Sequence, residues 1–309
     1  MVMRILDPGP QASLQGAPRG GFRQFGMPAA GAADPLSMSL ANRLVGNRPD
    51  GTCIEVTYGP FAAVFERNAS IAITGAVAPV SVDGSLRRFH TTLPINAGDV
   101  VEIGRPSAGL RFYVAVAGEL RAEEFLGSTS TYMPAKLGGL SGRALQKGDV
   151  LEVKIDVPAP PIFETPTNLI LTLGNSYALR STEGPDYSED LNSLWTTQYT
   201  VTRRASRIGI ELDGHFPKPD TQENLPSAAI FPGALQLPPK GRGFLLLPDC
   251  QTTGGYPHVL QVNKSDRHLL GQVRPDDSII FLRRSAEQAR ADLAHKDALF
   301  KDWVGDVNW

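Results

Sequence analysis

A mainly β fold, arranged as two tandem β-barrel-like halves with few short helices and a C-terminal helix, is what this sequence predicts. Three observations carry the expectation. Ten short runs rich in Val, Ile, Phe and Tyr recur along the chain, several alternating apolar and polar with the period of two that marks a half-buried strand. Glycine (31) and proline (25) are spread between them, as tight turns joining many strands require. Helical periodicity is confined to two segments.

The first half, residues 1–157, holds the runs GTCIEVTYG, ASIAITGA, GLRFYVAVAG and DVLEVKI, each read as a strand. It also holds the first helical segment, 34–46. Asp34 is placed to cap it, Pro35 suits the first helical position, Leu36, Leu40 and Leu44 share one face, and Gly46 supplies the stop. A Pro-rich linker follows at 158–168, where missing N–H donors oppose regular pairing. The second half, 169–285, contributes NLILTLG, QYTVTRR, RIGIEL, GFLLLP, HVLQV and SIIFLRR as strands. The last segment, 286–309, reads as a C-terminal helix and tail, the helix running over 285–304 with Ser285 as its cap and Ala289, Leu293 and Phe300 facing the core. A turn-and-strand grammar recurs between the halves. Leu110 and Phe244 stand 134 positions apart and Asp149 and Asp277 stand 128 apart, which suggests duplication of one β module.

Bulk composition narrows the function. Thirty basic residues against 32 acidic ones give a net charge of −2. Nucleic-acid binding draws on a cationic surplus that is missing here. No apolar run reaches a membrane span, and MVMRILDPGP lacks the organisation of a signal peptide. Two cysteines, Cys53 and Cys250, make no disulfide framework. A cytoplasmic protein, binding neither nucleic acid nor membrane, is expected. The five histidines show no metal-ligand spacing, so no metal site is visible, and a Met-Lys-Met biotin attachment site is absent from the sequence.

The candidate chemistry lies where strands empty into small hydroxyls and glycines. GSTSTY (127–132) offers Ser128 and Thr129. QTTGGY (251–256) offers Gln251, Thr252, Thr253, Gly254, Gly255 and Tyr256. Hydroxyls beside glycine-freed N–H groups can bind the oxygens of a small polar substrate, or can simply cap their own turns. Arg19, Arg143 and Arg207 each lie near glycine and can fork onto a carboxylate or phosphoryl group, or pair with a neighbouring acid. Glu55, inside the apolar run CIEVTYG, fits either the wet face of its strand or a buried, paired position.

Six stretches in order, FGMPAAGAADPLSMSLANRLVGN, GLRFYVAVAG, LGSTSTY, GGLSGRALQKGD, FPGALQLPPKGRGFLLLPDCQTTGGYP and LLGQVRPDD, resemble the KipA family, also called allophanate hydrolase subunit 2 or the C subunit of 5-oxoprolinase. The resemblance runs over nearly the whole chain. It implies a cyclophilin-like barrel fold, a KipI-like partner subunit and a cleft shared with it. The activity it implies first is that of the C-type subunit of an ATP-dependent lactam hydrolase, with ATP shared with the partner and a third, lactam-hydrolase-type subunit alongside. In that role Arg19, Arg143 and Arg207 supply the catalytic cations and the hydroxyl-glycine loops bind substrate. Alternatives are a carboxyltransferase half-module serving a separate biotin carrier, and a non-enzymatic regulatory subunit that antagonises a kinase inhibitor. The chain departs from the family pattern at Gly16 and Ser206, where members carry Asp, and at Cys250, where members carry Arg.

Overall fold

The computed structural model describes residues 2–154, 160–218, 225–239 and 241–307. Residues 158 and 159 of the expected linker lie outside them. The chain divides into two compact units.

The first unit, 1–19 with 30–173 and 299–308, contains two sheets. Its strands are β1 (Val2–Asp7), β2 (Gln11–Gln15), β3 (Cys53–Thr57), β4 (Phe61–Phe65), β5 (Ala69–Val77), β6 (Val80–Val82), β7 (Ser85–Arg87), β8 (Thr92–Ile95), β9 (Val100–Ile103), β10 (Ala108–Val116), β11 (Glu119–Leu120) and β12 (Val150–Lys154). One sheet runs β11-β12-β1-β4-β9-β6-β7 and the other β2-β3-β10-β5-β8. Alternate residues of both, among them Met3, Ile5, Phe61, Ile54, Phe112 and Val114, form one core. Helix α1 (Pro35–Leu44) lies against β5 and β10. Asp34 caps it by accepting the Ser37 N–H at 3.0 Å, and Leu36, Leu40 and Leu44 are buried. Residues 163–165 run beside β8 through single bonds such as Thr92 N–H to the Phe163 carbonyl, so the prolines permit contact but no regular ladder.

The second unit, 20–29 with 174–298 and residue 309, is built on a closed barrel. Its strands are β13 (Ser176–Glu183), β14 (Tyr199–Ala205), β15 (Gly209–Asp213), β16 (Ala228–Ala229), β17 (Ala234–Gln236), β18 (Gly243–Leu246), β19 (Thr253–Gly254), β20 (His258–Val262) and β21 (Ser278–Arg283). The barrel order is β13-β20-β17-β18-β15-β14-β21, closed by a parallel β13–β21 pair, and β16 and β19 form a separate ribbon. The expected strand NLILTLG does not form: residues 167–169 make a 3-10 turn and 170–174 pair with nothing regular among the described residues. Its alternation is present, but Ile170 faces solvent, and pairing begins only at Ser176. Helix α2 (Ala286–Val304) opens with the expected Ser285 cap, which accepts the Gln288 N–H while Gln288 reaches back to the Ser285 N–H. Phe300 is buried as expected, Ala289 and Leu293 only half so. Among the described residues no helix is long and apolar enough to cross a membrane.

The 128-position offset is a geometric repeat. Asp149 Oδ2 accepts the Gln146 N–H at 2.7 Å, and Asp277 Oδ2 accepts the Arg274 N–H at 3.0 Å. The residue before each aspartate is left-handed, Gly148 at φ 91° and Asp276 at φ 72°. Both turns dock on a strand by reciprocal backbone bonds, the first on Ile5 and the second on Val201.

Candidate functional site

In the second unit, the strand pair β14–β15 and its neighbour β18 wall a groove of about 1050 Å³. Three arginines line it, Arg203 and Arg204 from β14 and Arg242 from the loop before β18, with Glu211 from β15 as the single carboxylate among the described residues. The lining therefore carries a surplus of two positive charges. Gln236, Gln251 and Tyr256 complete the polar wall, and the Phe244 ring lies 5.6 Å from the Arg204 guanidinium carbon.

Glu211 organises this wall. Its side chain is 3% exposed, on a strand whose neighbours Ile210 and Leu212 are fully buried in the barrel. Arg204 donates to Oε1 at 2.9 Å, Arg242 to Oε2 at 2.8 Å, and the Thr202 hydroxyl to Oε2 at 2.9 Å. Burial works to raise the Glu211 pKa. The Thr202 hydroxyl and the Arg242 and Arg204 guanidiniums outweigh it and hold the carboxyl below its ordinary range. An ionised carboxylate thus holds two exposed guanidiniums that line the groove.

The 249–256 loop is part wall and part ribbon. Gln251 and Tyr256 line the groove. Thr253 and Gly254 form β19, pairing with Ala229 and Ala228, and the Thr252 carbonyl accepts the Ile230 N–H. Thr252, Thr253 and Gly255 do not line the groove. Arg23 braces this loop: it donates to the Ile230 and Gln251 carbonyls, sits 5.1 Å from the Phe231 ring centroid and interacts with the Cys250 thiol. Burial pushes that thiol's pKa up, against the pull of Arg23.

The three arginines singled out from the sequence are engaged inside the protein. Arg207 forks onto Asp249 at 2.9 and 3.0 Å, with both side chains at most 2% exposed. Arg143 forks onto Asp149 at 2.7 and 2.8 Å and so clamps the first of the two repeated turns. Arg19, 1% exposed, donates to the Phe125 and Ser130 carbonyls. The Ser128 hydroxyl donates to the Ala17 carbonyl, and the Thr129 and Thr52 hydroxyls hydrogen-bond each other at 2.6 Å. Within the first unit these residues lock the 125–143 loop onto the chain around residue 16. A Cβ on Gly16 would come within 2.6 Å of Thr129 Oγ1, so the Thr52–Thr129 pair occupies the space an Asp side chain would need. Glu55 is buried, not on a wet face: it accepts from Tyr113 and the Ala33 N–H at 2.8 Å and faces Arg111. It therefore secures the start of α1. Sequence reasoning passed over Arg204, Glu211, Arg242 and Arg23. The signal available for Glu211 was the one noticed at Glu55, an acid inside an apolar strand.

Residues 25–283 match the carboxyltransferase domain, subdomain A and B. The chain belongs to this family. It is 32% identical to the C subunit of 5-oxoprolinase from Escherichia coli over 292 residues, 93% of each chain, and 30% identical to that of Haemophilus influenzae over 98% and 97% of the two chains. Its fold is similar to the urea amidolyase of K. lactis, with a TM-score of 0.91 and 27% identity over 98% of this chain and 20% of that one. The chain thus spans the bacterial relatives almost end to end and about a fifth of the larger enzyme. It is homologous to the 5-oxoprolinase C subunit and to the carboxyltransferase part of urea carboxylase, as the six motifs lead one to expect. Among the described residues no three His, Cys, Asp or Glu side chains gather as metal ligands would.

Proposed function

We propose that the chain is the C-type subunit of an ATP-dependent 5-oxoprolinase-like hydrolase, working on a cyclic amide with a KipI-like partner and a third, lactam-hydrolase-type subunit. The observation that carries the reading is the groove's cationic wall, Arg203, Arg204 and Arg242 around the buried Glu211. End-to-end similarity to the 5-oxoprolinase C subunit supports it.

A lactam amide is a poor electrophile. Transfer of the terminal phosphoryl group of ATP to the amide oxygen, with ADP leaving, makes the carbonyl carbon reactive. Water then adds to the carbonyl carbon, the ring C–N bond breaks to release the amine and leave an acyl phosphate, and a second water displaces phosphate to give the carboxylate. Negative charge builds on the phosphoryl and substrate oxygens throughout. Preorganised guanidiniums answer that need, and Glu211 keeps two of them from reorganising as charge develops. Gln236 and Gln251 supply amide donors and acceptors for the substrate's polar groups, and Tyr256 a stacking face at the groove's edge. ATP is shared with the partner, so the chain alone is inactive.

The test is co-purification with a KipI-like chain and the lactam-hydrolase-type subunit, followed by phosphate release with and without 5-oxoproline. Turnover that needs all three chains and rises with 5-oxoproline is expected. Full turnover by the isolated chain, or 5-oxoproline-independent ATP hydrolysis by the complete complex, overturns the reading.

A further inference from the structure

Tyr256 belongs to two cavities. Besides the groove it borders a smaller one of about 130 Å³ within the same unit. The walls of this cavity are apolar, from Pro185, Leu225, Pro226, Ala228, Ala229 and Ile230. Its polar members are Asp186 and His258, and among the described residues no arginine or lysine lines it. An apolar cavity of about 150 Å³ accommodates a benzene-sized molecule, so this one suits a single small ring.

His258 is 7% exposed, and its ring Nε2 is buried with no hydrogen-bond partner among the described residues. The residue is firmly placed: its backbone N–H donates to Asp186 Oδ2 at 2.8 Å, and its position on β20 pairs with Gln236 on β17. Burial lowers the His258 pKa against the pull of the Asp186 carboxylate and of hydrogen bonding with the Leu260 backbone and the Gln261 side chain, so the neutral imidazole is favoured near pH 7. A neutral imidazole nitrogen is a donor or an acceptor according to tautomer. An amide edge carries both an N–H and a carbonyl and meets either form. Asp186, with no cation beside it in the described lining, disfavours an anion there.

We infer that this cavity is a subsite for a small uncharged cyclic amide, its ring against the apolar wall and its amide edge on His258. The choice of ring rests on the function proposed above. The subsite extends that reading by separating the ring, held here, from the anionic groups, held by the groove's arginines, with Tyr256 at the boundary.

The experiment is titration of 2-pyrrolidinone into the isolated full-length chain, followed on the histidine side-chain nitrogens by NMR, with cyclopentanecarboxylate as the anionic control. A saturable shift at His258 is expected, with the anion at least tenfold weaker. Ala229→Leu fills the cavity from an exposed position on the ribbon and weakens 2-pyrrolidinone at least tenfold, as does His258→Phe. No saturable shift, undiminished binding in Ala229→Leu, or an ordered water only on Nε2 in soaked crystals overturns the subsite. Binding lost in Arg203→Ala but kept in Ala229→Leu places the ring in the groove and overturns it too. The titration uses neither ATP nor partner, so failure of the reconstituted reaction with this binding intact counts against the proposed activity alone.

Discussion

Arg207→Met tests whether this arginine grips a ligand or the fold. Its guanidinium and the Asp249 carboxylate lie 2.9 and 3.0 Å apart in a fork, and both side chains are at most 2% exposed. At an effective dielectric near 20, two unit charges about 2.9 Å apart attract by roughly 6 kcal/mol. Desolvation of the two ions offsets most of this, so the pair contributes little net stability while intact. Removing one member is different, because it strands the other charge without water. Arg207→Met and Asp249→Leu should each cost about 3–5 kcal/mol, and the double variant clearly less than the sum of the two. The pair ties the β14–β15 turn to the loop after β18, which lead respectively into Glu211 and Gln251 of the groove. The assay is urea unfolding of the isolated chain by circular dichroism, with hydrogen exchange on β15 and β18 to assign the loss. Single variants within about 1 kcal/mol of the parent would refute the staple and return Arg207 to the set of ligand-binding cations.

Two further outcomes are expected. His90 is 6% exposed and burial lowers its pKa from 6.5 to about 4, so the unfolded chain takes up the proton first as pH falls. Stability of the first unit should therefore drop by about 3 kcal/mol between pH 6.5 and 4. His90→Asn, which tolerates the φ of 60°, should flatten that part of a pH series of urea melts, and an unchanged slope refutes the assignment. In Gly254→Ala the new Cβ would meet Gln236 Nε2 at 2.7 Å and Ile230 Cδ1 at 3.0 Å, and the glutamine end can swing away. The fold should survive at a cost of about 1–2 kcal/mol, while the KM for 5-oxoproline of the reconstituted complex rises and kcat holds. An unchanged KM removes Gln236 from the site.

The elements that announce themselves locally were legible. Asp34, Pro35 and Gly46 bound α1 by main-chain chemistry that involves few neighbours, and Ser285 does the same for α2. The Asp149 and Asp277 turns were legible for the same reason, since each is closed by its own aspartate. Short strands such as β6, β7, β16 and β19 were not, because two or three residues carry no period and are defined by the strand beside them. NLILTLG shows the converse, a period with no partner to receive it.

The same distinction decides what could be known of the site. Arg207 and Arg143 sit beside glycines in motif positions and invite a catalytic role, yet each has an acid of its own at hydrogen-bond distance. Nothing local marks Asp249 as the partner of Arg207, 42 positions away. The groove is assembled the same way. Arg204, Glu211 and Arg242 are ordinary surface-type residues one at a time, and only the β15 register against β14 and β18 brings two cations onto one buried carboxylate. Glu211 was the readable member, because an acid between buried Ile210 and Leu212 must find cations or hydrogen bonds to remain there. The rest of the wall follows from that acid: a buried carboxylate fixes its arginines, fixed arginines make a preorganised cationic wall, and three arginines around one carboxylate leave that wall with a surplus of positive charge.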